Sequence, residues 1–225
     1  MSTAPAATSL KIKICGITNV EDALAAVEVG ADALGFVFHR ESPRCVVLDV
    51  VRRIVGQLPP FVLPVGVFVN EDPKVVRDLM DRCGLALAQL HGDETAAYCE
   101  ALGRPFLKGI RLRDRGTFLA MAEYKGRAQV RGFVVDASSD TLYGGTGLVA
   151  DWNLAAEAAR ASLVLLAGGL IPENVGEAIQ KVRPYGVDVS SGVESRPGKK
   201  DHTKIRAFIN AAKLVSVDRE GYTPA

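Results

Sequence analysis

The sequence predicts an α/β protein that folds as a single (β/α)₈ barrel, the TIM-barrel architecture. Its 225 residues fit the roughly 200–250 residues of one such barrel. Eight short apolar runs alternate with eight amphipathic stretches. The runs are rich in Val, Ile, Leu and Phe and do not alternate with polar residues, which is typical of parallel strands buried on both faces. A doubly wound open sheet would give the same local pattern, so the count of eight units favours the barrel.

The eight predicted strands are the apolar runs, each bounded by turn residues or by the start of an amphipathic stretch. They cover 11–17, 33–38, 64–69, 85–91, 105–112, 132–136, 163–167 and 185–189.

The eight predicted helices follow these strands in turn, because apolar residues recur there at helical spacing. They cover 20–29, 48–57, 73–83, 94–102, 114–123, 152–159, 172–182 and 201–214. Asn19 is placed to cap the first helix, and Gly30 to end it in the left-handed conformation. Pro73 suits the first turn of the third helix, which Gly84 follows.

No linker-like stretch divides the chain, so we expect one domain over 1–225, with a loose extension at 1–9 and a loose tail at 216–225. Lys and Arg number 27 and Asp and Glu 26, and this balance gives no electrostatic reason to expect nucleic acid or an anionic membrane as partner. A small phosphorylated ligand remains compatible with it. The oligomeric state, monomer or homodimer, stays open.

No apolar run approaches the ~18 residues of a membrane span, and the first residues lack the pattern of a secretory signal. The four cysteines form no C-x-x-C pair, so we expect neither a zinc site nor a redox pair. A reducing cytoplasm is the simplest compartment for such a chain.

Chemistry-bearing residues follow the predicted strands, where a barrel carries its active groups. Cys15 lies near the end of the first strand, Arg44 lies in the loop after the second, and His91 and Asp136 end the fourth and sixth. A carboxylate that ends an apolar strand must be paired, hydrogen-bonded or functional. Each residue also has an ordinary structural explanation: a buried core thiol, a solvated arginine, a hydrogen-bonded histidine or a capping aspartate.

Three glycine clusters follow the last strands: Gly144-Gly145-Thr146-Gly147, Gly168-Gly169 and Ser191-Gly192. Glycine lets backbone N–H groups approach an anion closely, and the loops after strands seven and eight are the usual phosphate site of this fold. One cluster alone could be a set of turn residues. Two clusters at the two expected strands favour phosphate binding.

Several motifs together resemble the phosphoribosylanthranilate isomerase family of tryptophan biosynthesis. They are Lys13-Ile14-Cys15-Gly16-Ile17-Thr18, Gly35-Phe36-Val37-Phe38 with Ser42-Pro43-Arg44, Gly66-Val67-Phe68-Val69-Asn70, Gln89-Leu90-His91-Gly92, Tyr143-Gly144-Gly145-Thr146-Gly147, and Val187-Asp188-Val189-Ser190-Ser191-Gly192-Val193-Glu194 with Pro197-Gly198-Lys199-Lys200-Asp201. The resemblance covers about 11–214.

The resemblance implies a cofactor-free Amadori rearrangement of N-(5′-phosphoribosyl)anthranilate to 1-(2-carboxyphenylamino)-1-deoxyribulose 5-phosphate. It implies that Cys15 is the general base, that Asp136 is the general acid and that Arg44 binds the anthranilate carboxylate. Asp188 matches a family aspartate near the anthranilate end. The implied phosphate site comprises Gly145, Gly147, Gly168, Gly169, Ser191 and Gly192. Ala167 stands where several relatives have Ser, so a hydroxyl contact there would be absent.

Three other functions remain as alternatives. An isomerase of histidine biosynthesis performs the same chemistry with two aspartates, and Cys15 argues against it. Indole-glycerol-phosphate synthase needs lysines at strand ends, for which Lys108 is the one candidate. A non-catalytic barrel that binds a phosphorylated ligand would need neither Cys15 nor Asp136.

Overall fold

Eight parallel strands close into a barrel in the order of the chain, each hydrogen-bonded to the next and the last to the first. The structure is a computed structural model that describes residues 9–136 and 152–215. The strands are β1 Lys11–Cys15, β2 Ala33–Val37, β3 Leu63–Phe68, β4 Leu87–Leu90, β5 Phe106–Arg111, β6 Val130–Asp136, β7 Val164–Ala167 and β8 Gly186–Val189. The predicted (β/α)₈ barrel is confirmed.

The helices of the described residues alternate with these strands. They are α1 Val20–Val29, α2 Leu48–Val55, α3 Pro73–Cys83, α4 Ala96–Leu102, α5 Arg115–Ala120, α6 Trp152–Ala161, α7 Val175–Val182 and α8 His202–Lys213. None of the helices in 9–136 and 152–215 is long and apolar enough to cross a membrane.

The predicted helix boundaries at Asn19, Gly30, Pro73 and Gly84 are confirmed. The Asn19 side chain accepts a hydrogen bond from the backbone N–H of Asp22 at 2.8 Å, and Gly30 ends α1 at φ 103°. Pro73 is the first residue of α3, and Gly84 closes it at φ 67°. Both glycines occupy the left-handed region that side-chain-bearing residues avoid.

Alternate residues of each strand face the barrel interior. The interior cluster contains one or two residues from each of β2 to β7: Ala33, Val65, Leu87, Leu107, Val134, Leu165 and Ala167. Because side chains alternate along a strand, residues two positions further on share that face. This parity directs Asp136, two residues after Val134, toward the mouth at the carboxyl ends of the strands.

Two predictions about the elements were wrong. The seventh helix begins at Val175 and not at 172, because the Asn174 side chain accepts from the N–H of Ile171 and donates to the carbonyl of Gly169 in a preceding turn. The strands also contain more polar residues than expected. The buried polar side chains within the eight barrel strands are Lys13, Gln89, Lys108 and Asp188.

A short hairpin after β8 has no counterpart in the predicted elements. A single 3₁₀ turn, Ser191–Val193, leads into β9 Glu194–Arg196, which pairs antiparallel with β10 Lys199–Lys200. Gly198, at φ 78°, makes the turn of this hairpin. The predicted loose segments lie almost wholly at 1–8 and 216–225, outside the described residues.

Candidate active site

Strand β1 presents Lys13 and Cys15 to the barrel interior. They pair in register with Ala33 and Gly35 of β2, and Ala33 belongs to the interior cluster. On the other side, Lys13 pairs with Asp188 of β8. Neighbouring residues in parallel register point the same way, so Lys13, Cys15 and Asp188 meet inside the barrel.

Gly35 makes room for the two side chains beside it. A Cβ placed on Gly35 would lie 2.7 Å from the Cys15 Sγ and 3.1 Å from the Lys13 Nζ. These distances show that the thiol and the ammonium face the same small space. The Lys13 Nζ donates to both Asp188 carboxylate oxygens at 2.9 Å, and its positive charge favours ionisation of Cys15.

The Cys15 thiol is only 8% exposed, and its burial raises its pKa above the ordinary 9.0. The positive charges of Lys13 and Lys200 oppose that shift, while the charge of Asp188 adds to it. The other buried thiols, Cys83 and Cys99, have raised pKa values chiefly through burial as well. Of these three thiols, Cys15 is the one at the end of a barrel strand.

Asp136 lies across the mouth from Cys15, because β7 and β8 separate their strands around the barrel. Its side chain is half-buried and shares the inward face of β6 with Val134. Burial lowers the pKa of His91, and the charges of Asp188 and Asp136 both oppose that shift. Both aspartates therefore face the same enclosed region.

Arg44 lies over the end of β1 and is held by Glu194 of the hairpin. Its Nε and Nη2 donate to the two Glu194 carboxylate oxygens at 2.8 and 2.7 Å. This bidentate pair raises the pKa of Arg44. A Cβ on Gly16 would lie 2.5 Å from the Arg44 Cδ, so a side chain at Gly16 would displace the arginine.

Glu194 thus accepts two of the hydrogen bonds that the Arg44 guanidinium can donate, which the sequence did not predict. Among the described residues no hydrogen bond is found on its other edge, formed by Nη1 and Nη2. That edge matches the spacing of a second carboxylate. Lys200 also helps to hold Glu194 in place, because its Nζ donates to the Glu194 carboxylate at 3.0 Å and to the Ser190 carbonyl at 3.1 Å.

The loops after β7 and β8 approach each other through glycines. Gly168 and Gly169 have φ values of 88° and 64°. A Cβ on Gly192 would overlap the carbonyl oxygen of Leu170, so only glycine allows this approach of the two loops. Ser191 opens the 3₁₀ turn beside it. Gly145 and Gly147 lie outside the described residues, as does the rest of 137–151.

Both carboxylate oxygens of Asp188 accept hydrogen bonds from Lys13 inside the barrel. Lys108, the candidate synthase lysine, is 2% exposed and points to the outer side of β5. Its Nζ donates to the Glu94 carboxylate at 2.9 Å and to the Gly92 carbonyl at 2.6 Å. A cavity of about 410 Å³ beside it is lined also by His91 and Asp93.

Sequence reasoning did not assign a role to Lys13, Glu194 or Lys200, although the motifs contained all three. A lysine two residues before Cys15 within an apolar strand was the available signal, since a buried charge requires a partner. No three metal-ligating side chains come together within 9–136 and 152–215.

The closed barrel, with titratable side chains gathered at its carboxyl end, defines a (β/α)₈-barrel enzyme. The family model for N-(5′-phosphoribosyl)anthranilate (PRA) isomerase matches residues 12–211, nearly the whole chain. The protein belongs to that family, as the motifs of the sequence predict.

Individual relatives agree over almost their full lengths. The chain is 52% identical over 205 residues to the N-(5′-phosphoribosyl)anthranilate isomerase of Trichlorobacter lovleyi, covering 91% of this chain and 98% of that protein. It is similar to the crystal structure of the isomerase from Thermotoga maritima, with a TM-score of 0.84, 42% identity and coverage of 92% and 100%.

A further solved structure is a phosphoribosylanthranilate isomerase in complex with reduced 1-(o-carboxyphenylamino)-1-deoxyribulose 5-phosphate. It has a TM-score of 0.81 and 41% identity to this chain, with coverage of 92% of this chain and 100% of that one.

Proposed function

We propose that the protein isomerises N-(5′-phosphoribosyl)anthranilate to 1-(2-carboxyphenylamino)-1-deoxyribulose 5-phosphate in tryptophan biosynthesis, with Cys15 as general base and Asp136 as general acid. The reaction is inferred from membership of the isomerase family. The assignment of roles is supported by one geometric observation: a thiol and a carboxyl group face inward from strands on different sides of one barrel mouth.

The reaction needs a proton donor at the furanose ring oxygen and a base at C2′. Asp136, in its neutral form, donates a proton to the furanose ring oxygen, and the ring opens to a protonated Schiff base. The Cys15 thiolate then removes the proton from C2′, which gives an enolamine. The enolamine takes a proton at C1′ and loses one from its C2′ hydroxyl to become the ketose. The net change is an isomerisation, so no cofactor is required.

The electrostatics around Cys15 suit the second transfer. A thiol with a raised pKa is a strong base once ionised, and the Schiff-base cation makes the C2′ proton acidic. Lys13 and Lys200 both favour the thiolate. The cation on the substrate adds a third positive charge beside it during the step.

The two ends of the substrate are held by different groups. The free edge of Arg44 accepts the anthranilate carboxylate, with Glu194 keeping the guanidinium plane fixed. The phosphate binds among the backbone N–H groups of Gly168, Gly169, Ser191 and Gly192, which the close approach of the two loops supports, together with Gly145 and Gly147. Asp188 acts by holding the Lys13 ammonium in place. Holding both ends positions the ring between base and acid.

The family match favours this reaction over the histidine-pathway isomerase and over a non-catalytic barrel. The synthase alternative is not supported at Lys108, whose ammonium is held by Glu94 and backbone carbonyls. The reaction partner is a phosphorylated small molecule. We further propose that the chain is one cytoplasmic domain, which acts as a monomer or homodimer without nucleic acid.

A turnover assay tests the function directly. Anthranilate, phosphoribosyl pyrophosphate and the upstream transferase generate the fluorescent substrate, and adding this protein should accelerate the loss of that fluorescence in proportion to its concentration. Product is identified by mass and by its ketose chemistry. Loss of fluorescence at the rate of a protein-free sample would overturn the proposal.

A further inference from the structure

We propose that Lys13 is a positioning residue that favours ionisation of Cys15 to the thiolate, and that Asp188 holds the Lys13 ammonium beside the thiol. The inference rests on the proposed role of Cys15 as the base and names the group that prepares it.

The position of the Lys13 ammonium is the first argument. The side chain is 1% exposed and its Nζ lies 2.9 Å from both Asp188 oxygens, so it has one defined location. That location adjoins the thiol, as the shared space above Gly35 shows. An ammonium has three donors, and the Asp188 carboxylate accepts from at most two of them, so one N–H remains available toward the thiol.

The balance of charge is the second argument. Three cations, Lys13, Lys200 and Arg44, are grouped near Cys15 with two carboxylates, Asp188 and Glu194. The group carries one positive charge in excess while Cys15 is neutral. Ionisation of the thiol makes it neutral overall, which favours the thiolate in a site that excludes water.

A purely structural ion pair is the competing explanation, because Lys13 and Asp188 connect β1 to β8. The two explanations differ in the titration of Cys15. A structural pair would stabilise the barrel without changing the pH at which the thiol ionises. A positioning pair would change it in opposite directions when the cation or the anion is removed.

The test measures the rate at which iodoacetamide alkylates Cys15 as a function of pH. Cys45 is exposed, so Cys45→Ser serves as the background, and modification is assigned to Cys15 by peptide mass. We expect Lys13→Met to move the midpoint of this profile at least one pH unit upward, so that alkylation at pH 8 slows about tenfold. The acid limb of kcat/KM should move with it, while KM stays within about threefold.

Lys108→Met is the matched control. It removes another buried lysine that is paired with a carboxylate but is not among the groups that act on Cys15. We expect the same midpoint as in the background. An equal upward shift in this variant would overturn the inference.

Asp188→Asn supplies a result even if Lys13→Met fails to fold. Its amide oxygen can still accept from the Lys13 ammonium and keep it in place, while the negative charge near the thiol is removed, so the midpoint should move downward. A folded Lys13→Met with the background midpoint, or an unchanged or upward midpoint in Asp188→Asn, would overturn the inference. The alkylation profile requires no turnover, so failure of the proposed function would be seen separately, as absent isomerisation by the wild-type protein.

Discussion

Among the described residues, Cys15 is a thiol and Asp136 a carboxylate that each end a barrel strand and face inward. Cys83 and Cys99 are buried on helices α3 and α4, away from the mouth. Surface aspartates such as Asp78 form exposed ion pairs, which contribute little to stability. Only a side chain at the mouth can meet a substrate bound there.

Substitution of the two proposed catalytic groups should separate catalysis from binding. We expect Cys15→Ser and Asp136→Asn each to lower kcat by at least about 10²-fold, because each proton transfer contributes roughly 10²–10⁴-fold. KM should change less than about threefold, since neither group holds a substrate end. Steady-state kinetics with the fluorescent substrate measures both constants. Turnover close to wild type in either variant contradicts the assignment.

Arg44 should act on binding rather than on the chemical step. Arg44→Ala removes the charged fork, and we expect KM to rise about 10- to 100-fold with kcat little changed, as loss of hydrogen bonds to a charged group predicts. Glu194→Gln is the matched variant: it keeps the shape but loosens the guanidinium, so a smaller rise of KM follows. Competitive inhibition by anthranilate checks that the lost affinity lies at that end of the substrate.

The sequence could single out Cys15, Arg44 and Asp136 as candidates because each lies near the end of a predicted strand or in the loop after one. It could not assign the partners that prepare them. Lys13 and Asp188 are 175 positions apart, and Arg44 and Glu194 are 150 apart. Such pairs depend on barrel closure and on the position of a hairpin, which no local pattern of residue types encodes.

At the scale of elements, the hairpin of β9 and β10 is held to helix α1 by one buried carboxylate. Asp22 accepts hydrogen bonds from the Lys200 backbone N–H and the Lys199 Nζ, both at 2.9 Å. His202 Nε2 lies 2.9 Å from the same carboxylate. The hairpin contains Lys200 and also Glu194, which holds the Arg44 guanidinium. Asp22 therefore links helix α1 to the residues that position Arg44.

Asp22→Asn should therefore destabilise the fold by about 1–3 kcal/mol at pH 7, the range for hydrogen bonds to a charged group. Burial opposes ionisation of Asp22, but hydrogen bonds from Lys200, His202 and Lys199 outweigh it and lower its pKa below 3.8. A lowered pKa stabilises the fold above pH 3.8 and loses that effect as the pH falls through the folded-state value. The difference between wild type and variant should shrink accordingly in acid.

Urea unfolding at neutral and acid pH measures this difference. Glu21→Gln is the control, because the Glu21 carboxylate also binds Lys199 but is 76% exposed. We expect a change below about 0.5 kcal/mol in the control. A gap between Asp22→Asn and wild type that grows as the pH is lowered would contradict the assigned direction of the Asp22 pKa.

The order of the barrel elements was predictable from sequence, and the exceptions have local causes. Helix α1 was bounded correctly because Asn19 and Gly30 give strong start and stop signals. Helix α7 was not, because the turn at 171–174 uses the Asn174 side chain within a segment that looks helical. The hairpin strands are only three and two residues long, too short for any periodic pattern.

At the scale of the whole molecule, the seam between β1 and β8 determines whether the sheet closes. Four register pairs join these strands, and the buried Lys13–Asp188 ion pair lies within them. An open seam would expose the backbone edges of both strands. The two residues that prepare the proposed base thus also lie at the closure of the barrel.

Gly186, opposite Lys11 in this seam, leads to the last prediction. A Cβ on Gly186 would lie 2.5 Å from the Lys11 carbonyl oxygen, and a backbone atom cannot move aside without separating the strands. We expect Gly186→Ala to cost about 1–3 kcal/mol, the range for overpacking, and to lower Tm by several degrees in one cooperative transition. Gly176→Ala is the control, because its nearest neighbour would be 3.6 Å away and alanine favours the helix. Calorimetry of both variants compares them, and equal Tm values would show that the seam tolerates a side chain at Gly186.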